Sequence, residues 1–410
     1  MAGDLRILGM VMAGGEGTRL QPLTRERAKP AVPFGGKYRL VDFVLSNLVN
    51  SGILSIYVMV QFKSQSLIEH LAAGWQLGGL LREHFVSPVP AQMRRGNVWY
   101  QGTADAIFQN LNLIENYRPD LVAVFGADHI YRMDVRQMVE QHVATRAEVT
   151  VASLPVPRAD ASGLGILEVD AERRVVRFDE KPSVPPEIPG QPGLCLASMG
   201  NYLFDAEFLL DSLTRVGGQA SHDFGRHFIP DHLDRARTFA YDFTSNRLPG
   251  TTVESNRYWR DVGTLDSYYA ANMDLIAPLP ELDLYNPRWP LRTAPFPNPP
   301  AKFADAGGGR SVEVRDSLVS EGCIVNGARV IRSVLGRNVV VHDGAEIVDS
   351  VVFENCAIGR GARLQRAILD KNVVVEDGGT LGHDLARDRE RYTVTSGGVV
   401  VIPKNNRPDV

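Results

Sequence analysis

Through the first two thirds of the chain, short apolar runs alternate with longer amphipathic stretches. Residues 7–12, 56–60 and 121–125 are three such runs, and each leads into polar or glycine-bearing residues. Helical periodicity fills the intervals. This alternation predicts an α/β domain on a mixed, mostly parallel sheet, with ligands bound beyond the carboxyl ends of its strands.

The pattern changes after residue 276. From 277 to 310 prolines crowd together, from Pro278 and Pro280 to Pro299 and Pro300, and three glycines follow at 307–309. This stretch reads as a linker between a domain over 1–276 and a second over 311–410. The second part repeats itself. DSLVSEGCIV from Asp316, RSVLGRNVVV from Arg332, DSVVFENCAI from Asp349 and RAILDKNVVV from Arg366 align without gaps at a spacing of about 17 residues. Gly-Ala or Gly-Gly follows each one, and apolar positions recur roughly every six residues. Three short strands per coil, with small residues at the corners, make a triangular parallel β-helix of about four coils. Its open ends need covering, so it is expected to pack on the first domain and on neighbouring subunits.

Composition narrows the function. Hydrophobic residues make up 44% and charged residues 22%, with a formal net charge of −4, so neither nucleic acid nor an anionic membrane is an expected partner. No apolar stretch approaches the ~18–20 residues that span a bilayer, and the N-terminus lacks a signal-peptide pattern. Cys195, Cys323 and Cys356, without CxxC spacing, offer neither a disulfide framework nor a zinc site. A reduced, cytoplasmic protein is expected. His222, His227 and His232 recur every five residues. Positions i and i+5 do not share a helix face, so no zinc site is expected there.

The candidate chemistry follows the apolar runs. In MAGGEGTRL (12–20), Gly14, Gly15 and Gly17 let the backbone approach a phosphate, while Thr18 and Arg19 add a hydroxyl and a permanent cation. No Gly-Lys-Ser/Thr follows, so this is not a Walker A loop. A tight strand-to-helix turn is the plain alternative. In RAKPAVPFGGKYRLVDF (27–43), Lys29 precedes Pro30 and is expected in extended backbone, where it can meet charge developing on a transferred group. WYQGTADA (99–106) sets aromatic and small polar residues before a helix, which suits a base or sugar contact. In GADHIY (126–131), Asp128 follows a strand, where a carboxylate holds a metal between phosphates or else caps a helix. FDEKP (178–182) offers Glu180 to sugar hydroxyls and Lys181 to a sugar phosphate, and YWRDVGT (258–264) adds a second metal carboxylate at Asp261.

Together with SMGNY (198–202), these motifs closely resemble those of the ADP-glucose pyrophosphorylase family, the glucose-1-phosphate adenylyltransferases of glycogen and starch synthesis. The resemblance runs from about residue 8 to the end of the repeats. It implies a Rossmann-like nucleotidyltransferase domain followed by a left-handed parallel β-helix, assembly as a homotetramer, Mg²⁺ as cofactor, and ATP and glucose 1-phosphate as substrates. It implies a catalytic role for Asp128, triphosphate-side roles for Arg19 and Lys29, and a second metal carboxylate at Asp261. Glucose 1-phosphate would meet Lys181 and Glu180, with Tyr100, Gly165 and Ser198 as further contacts. Gln61 would meet adenine, and Gly102 would join the glycine loop at the nucleotide. The resemblance also implies anionic metabolite effectors near Arg27 and Arg39. Some relatives bind fructose 1,6-bisphosphate with a lysine and a histidine where this chain has Glu26 and Pro33, so a monophosphate or a carboxylate is the expected effector here. A related enzyme acting on another nucleotide sugar remains an alternative. A regulatory subunit without catalysis is another, but it should carry substitutions at Arg19, Asp128 or Lys181, and none appears. An acyltransferase role for the β-helix is disfavoured, since His342 is the only histidine within the repeats.

Overall fold

The computed structural model describes residues 5–78, 83–92, 99–216, 223–251, 257–306 and 310–406. The three apolar runs become the strands Ile7–Met12, Ser55–Val60 and Leu121–Gly126, side by side and parallel. Met12 lies level with both Met59 and Gly126, so the three carboxyl ends finish on one line. Among the described residues the sheet has nine strands, and only Val175–Glu180 and Leu194–Asp205 run against the common direction. Alternate residues serve the two faces. Val11 joins the core on one side of the sheet, and Leu8 and Met10 join the core on the other.

Asp42, fully buried, ties the first face together. Its carboxylate accepts hydrogen bonds from Trp75 Nε1 (2.9 Å), Thr293 Oγ1 (2.7 Å) and the Arg39 amide (2.8 Å), and lies 2.6 Å from His70 Nε2. Four partners satisfy a carboxylate that burial would otherwise penalise heavily. Thr293 belongs to the proline-rich stretch, which is pinned along the first domain. Leu282, Trp289 and Ala294 are buried, and the Arg132 guanidinium donates to the carbonyls of Asp283 and Trp289.

Among the described residues the repeats fold into three sheets of short strands, five coils in all, parallel throughout except where Thr393–Val394 runs antiparallel to Val400–Ile402. The first coil opens at Lys302–Ala304, inside the stretch whose composition reads as linker. The fifth closes on Val400–Ile402 after an inserted helix, Leu385–Arg391. Neither of these outer strands carries the repeat pattern strongly enough to be counted, hence five coils against about four expected. Corner residues repeat in the left-handed backbone region: Asp316, Arg332, Asp349 and Arg366 at one corner, and Asn338, Asn355, Asn372 and Asn405 at another. Asparagine tolerates that region better than most residues. The four asparagines also form a ladder, each Nδ2 donating to the Oδ1 of the next at 2.9–3.3 Å. Cys323 and Cys356 are buried packing residues whose thiols donate to the carbonyls of Gly336 and Asp370.

The β-helix packs on the first domain through a shared apolar core. Phe34, Tyr268 and Leu275 meet Val351, Phe353, Ile368 and Val401. Polar ties surround it: Tyr269 Oη donates to the Asp349 carbonyl (2.7 Å), and Arg27 forms a buried two-pronged pair with Asp370 (2.9 and 3.1 Å). At Gly36, a side chain would collide with Ser320 Oγ of the β-helix, which accounts for glycine there.

Candidate active site

A cavity of about 430 Å³ opens beyond the aligned strand ends. Gly14 and Gly15 line it directly after the first strand. Gln61, following the strand Ser55–Val60, braces this edge. Its Nε2 donates to the Gly14 carbonyl (3.2 Å), and its Oε1 accepts from the Tyr100 amide (3.0 Å). Gln61 thereby joins the glycine loop to the segment that carries Tyr100 and Gly102. Gly17 and Thr18 do not line the cavity. Gly17 adopts φ +62° and caps the one-turn helix Thr18–Leu20, and a side chain there would come within 2.9 Å of Lys29 Cβ. The turn that was the plain alternative to phosphate binding thus accounts for Gly17, whereas Gly14, Gly15 and Arg19 do face the cavity.

Lys29 opens the one-turn 3-10 helix Lys29–Ala31 instead of lying in extended backbone. Pro30 sits at the start of this turn, where its missing N–H costs no internal hydrogen bond. The side chain of Lys29 is buried, and its Nζ lies 2.9 Å from Asp128 Oδ2 and 3.5 Å from Asp261 Oδ1. Asp261 is brought in by a two-stranded antiparallel ribbon, His129–Tyr131 with Trp259–Asp261, in which it pairs with His129. Helix capping falls to Asp134, which accepts from the Arg136 amide, and this leaves Asp128 free for the cavity. Enclosure raises the Asp128 carboxyl, but the His129 ring 3.4 Å away and the hydrogen-bonded Lys29 ammonium outweigh it and hold the group well below the usual carboxylate range.

Asp128, His129 and Asp261 each offer one ligand atom, all within 4.8 Å of one another. Two carboxylate oxygens suit a hard divalent cation, with further positions left to phosphates and water. No other such cluster occurs among the described residues. His227 and His232 take no part in one, His232 being stacked on Phe228, and His222 lies outside the described residues.

Glu180 ends the strand Val175–Glu180 at the opposite side of the cavity, paired with Lys181 at 3.3 Å. A side chain on Gly165 would meet Glu180 Oε2 at 2.9 Å, so glycine keeps this wall clear. Ser198 and Tyr100 complete the wall. Several lining residues carry no role in the motifs, among them His129, Trp259 and Asp223. The first two sit within quoted motifs. Asp223 accepts from Thr103 Oγ1 (3.0 Å), a pairing between distant segments that no local spacing reveals. Arg27 and Arg39 lie elsewhere, at the domain junction: Arg27 faces Asp370, and Arg39 Nη1 donates to the Ser66 carbonyl (2.5 Å).

Residues 8–277 match the family profile described as nucleotidyl transferase, and residues 299–402 match the GlmU-like, C-terminal hexapeptide profile, whose repeats build left-handed parallel β-helices. Curated relatives match nearly end to end. A glucose-1-phosphate adenylyltransferase from Anaeromyxobacter sp. is 50% identical over 98% of this chain and 99% of its own. Those from Deinococcus deserti (50% identical over 98% of each chain) and Thermus thermophilus (52% identical, 98% of this chain and 99% of its own) match similarly. Among the described residues no helix is long and apolar enough to cross a membrane.

Proposed function

The chain belongs to the glucose-1-phosphate adenylyltransferases, and on that footing we propose how its cavity joins ATP to glucose 1-phosphate, giving ADP-glucose and pyrophosphate. The observation that carries the proposal is one cavity lined by two acid–lysine sets, Lys29 with Asp128 and Asp261, and Lys181 with Glu180.

Gly14, Gly15, Gln61 and Gly102 receive the nucleotide, and Arg19 and Lys29 face its triphosphate. Glu180, Lys181, Tyr100, Gly165 and Ser198 hold glucose 1-phosphate. Its phosphate oxygen attacks the α-phosphorus in line. A new P–O bond forms, the α–β phosphoanhydride breaks, and the bonding pair leaves with pyrophosphate. No covalent enzyme intermediate is required, so catalysis rests on positioning and on stabilising charge. Asp128 and Asp261 would hold Mg²⁺, which, when bound, neutralises phosphate oxygens. The test is a panel of nucleoside triphosphates and sugar 1-phosphates with Mg²⁺, monitored by pyrophosphate release. ATP with glucose 1-phosphate should lead by a wide margin, and Asp128→Asn should lower its kcat by roughly 10²–10⁴-fold. A different preferred pair would overturn the substrate assignment.

We further propose a cytoplasmic homotetramer regulated by anionic metabolites at the domain junction. Arg39, Arg337 and Lys371 gather there around Glu354. Arg27 would join an effector only by leaving Asp370. Glu26 engages Lys404 at 3.0 Å, so a second phosphate there would have to compete with a carboxylate for that cation. Activity against fructose 6-phosphate, pyruvate and fructose 1,6-bisphosphate, with sedimentation to fix the subunit number, checks both. Activation by the bisphosphate alone would refute the effector reading.

A further inference from the structure

Lys29 holds an unusual position for a residue assigned to phosphate. Its side chain is only 8% exposed, and its ammonium bridges one oxygen of Asp128 (2.9 Å) and one of Asp261 (3.5 Å). These carboxylates are also two of the three members of the metal-holding cluster. We propose that Lys29 is an internal cation that competes with the divalent metal for Asp128 and Asp261. This rests on the reading of the two carboxylates as the metal site.

A divalent ion bonded to Asp128 Oδ2 at the ~2.1 Å usual for Mg²⁺ lies at most about 5 Å from Nζ in its observed place. Two cations that close, in a walled pocket, repel strongly. The repulsion is relieved when one of them withdraws, and the lysine, on a flexible four-carbon stem, is the one that can. The stem has somewhere to go. Lys29 Cβ packs against Gly17, so the side chain starts beneath the glycine loop, where an anionic triphosphate takes the freed ammonium. Metal alone must displace Lys29 without compensation. Metal arriving with a triphosphate provides the displaced ammonium with a new partner. Nucleotide and metal are thereby coupled through one side chain, and the free enzyme holds metal weakly.

Titration of the full-length protein with Mn²⁺ alone, followed by calorimetry and by water-proton relaxation, tests this. Lys29→Met keeps the stem and removes the charge, and it should bind Mn²⁺ at least ten-fold more tightly than the unaltered protein. Lys29→Arg keeps the charge, guards against loss of fold, and should bind no more tightly than the unaltered protein. Equal or weaker Mn²⁺ binding by Lys29→Met, or equally tight binding by Lys29→Met and Lys29→Arg, overturns the proposal. Asp128→Asn and Asp261→Asn separate the two failures. If they abolish Mn²⁺ binding while Lys29→Met leaves it unchanged, the metal site stands and the competition falls. If they leave binding intact, the metal site itself is misassigned.

Discussion

Arg27 and Asp370 grip each other through two hydrogen bonds of 2.9 and 3.1 Å, buried where the β-helix meets the catalytic domain. Neither side chain is more than 4% exposed, so each is the other's replacement for water. Removing one partner strands a charge. Arg27→Ala should therefore destabilise the protein by about 3–5 kcal/mol, while Arg27→Met combined with Asp370→Leu should recover most of the loss. Denaturant unfolding of the single and double variants measures both. Equal losses would show that the pair contributes more than mutual neutralisation.

Lys181 presents the opposite case. Its side chain is half exposed and pairs only loosely with Glu180, yet its backbone sits at φ +54°. A non-glycine residue held in that region at a cavity wall points to a placed side chain rather than a stabilising one. Lys181→Gln should raise KM for glucose 1-phosphate by one to two orders of magnitude, the worth of a charge-assisted contact. KM for ATP and the melting temperature should hardly move. Equal rises in both KM values would place Lys181 in a shared phosphate network instead.

These two residues mark what can be read from a linear chain and what cannot. Glu180–Lys181 and the glycine loop are local signals, since residue types a few positions apart state their chemistry before any folding. The parallel strands and the coil repeat are legible for the same reason, each having its own period. Asp370 as the partner of Arg27, the Asp42 hub and the Asp223–Thr103 contact join segments whose approach depends on how whole elements pack. No spacing within either segment encodes it. Lys29 falls between these cases. Its motif marks it as functional, but its turn and its two carboxylate partners appear only in three dimensions.

His142, within the helix Val135–Ala144, is buried with Nδ1 2.7 Å from Thr150 Oγ1 and Nε2 without a hydrogen-bond partner. Burial pushes its pKa down to about 4, with Asp205 only partly opposing the shift. The native state therefore resists a proton that the unfolded chain accepts below pH ~6.5. Stability should be unaffected by this group above pH ~6.5 and decline as pH falls from there towards 4, by about 3 kcal/mol in total. His142→Asn should flatten this limb of the stability–pH profile. An unchanged slope would show that other groups govern acid unfolding.

Asn355 combines a left-handed backbone, φ +62°, with a place in the middle of the asparagine ladder. Asn355→Ala should lose about 1–3 kcal/mol, since alanine tolerates that backbone region less well than asparagine and the change breaks two side-chain hydrogen bonds. Asn355→Gly breaks the same bonds without the backbone penalty and should lose less. Thermal melts of the two variants rank them, and equal losses would assign the stability to the ladder alone.

The ladder has a bearing on how this part of the molecule can change over evolutionary time. Each corner asparagine is addressed by the one a full coil away, so an inserted residue would throw every later corner out of phase unless it is absorbed before the next corner, as the one-residue difference between the pairings Ile324–Val340 and Arg329–Glu346 is. A whole inserted coil would leave all of them in phase. The domain's length therefore changes most readily by whole coils, and divergence in size should proceed mainly by adding or losing entire turns. Extra sequence of any other length can enter only as an excursion that returns to the same corner. The helix Leu385–Arg391, which leaves the fifth coil and rejoins it at Val400–Ile402, is such an excursion.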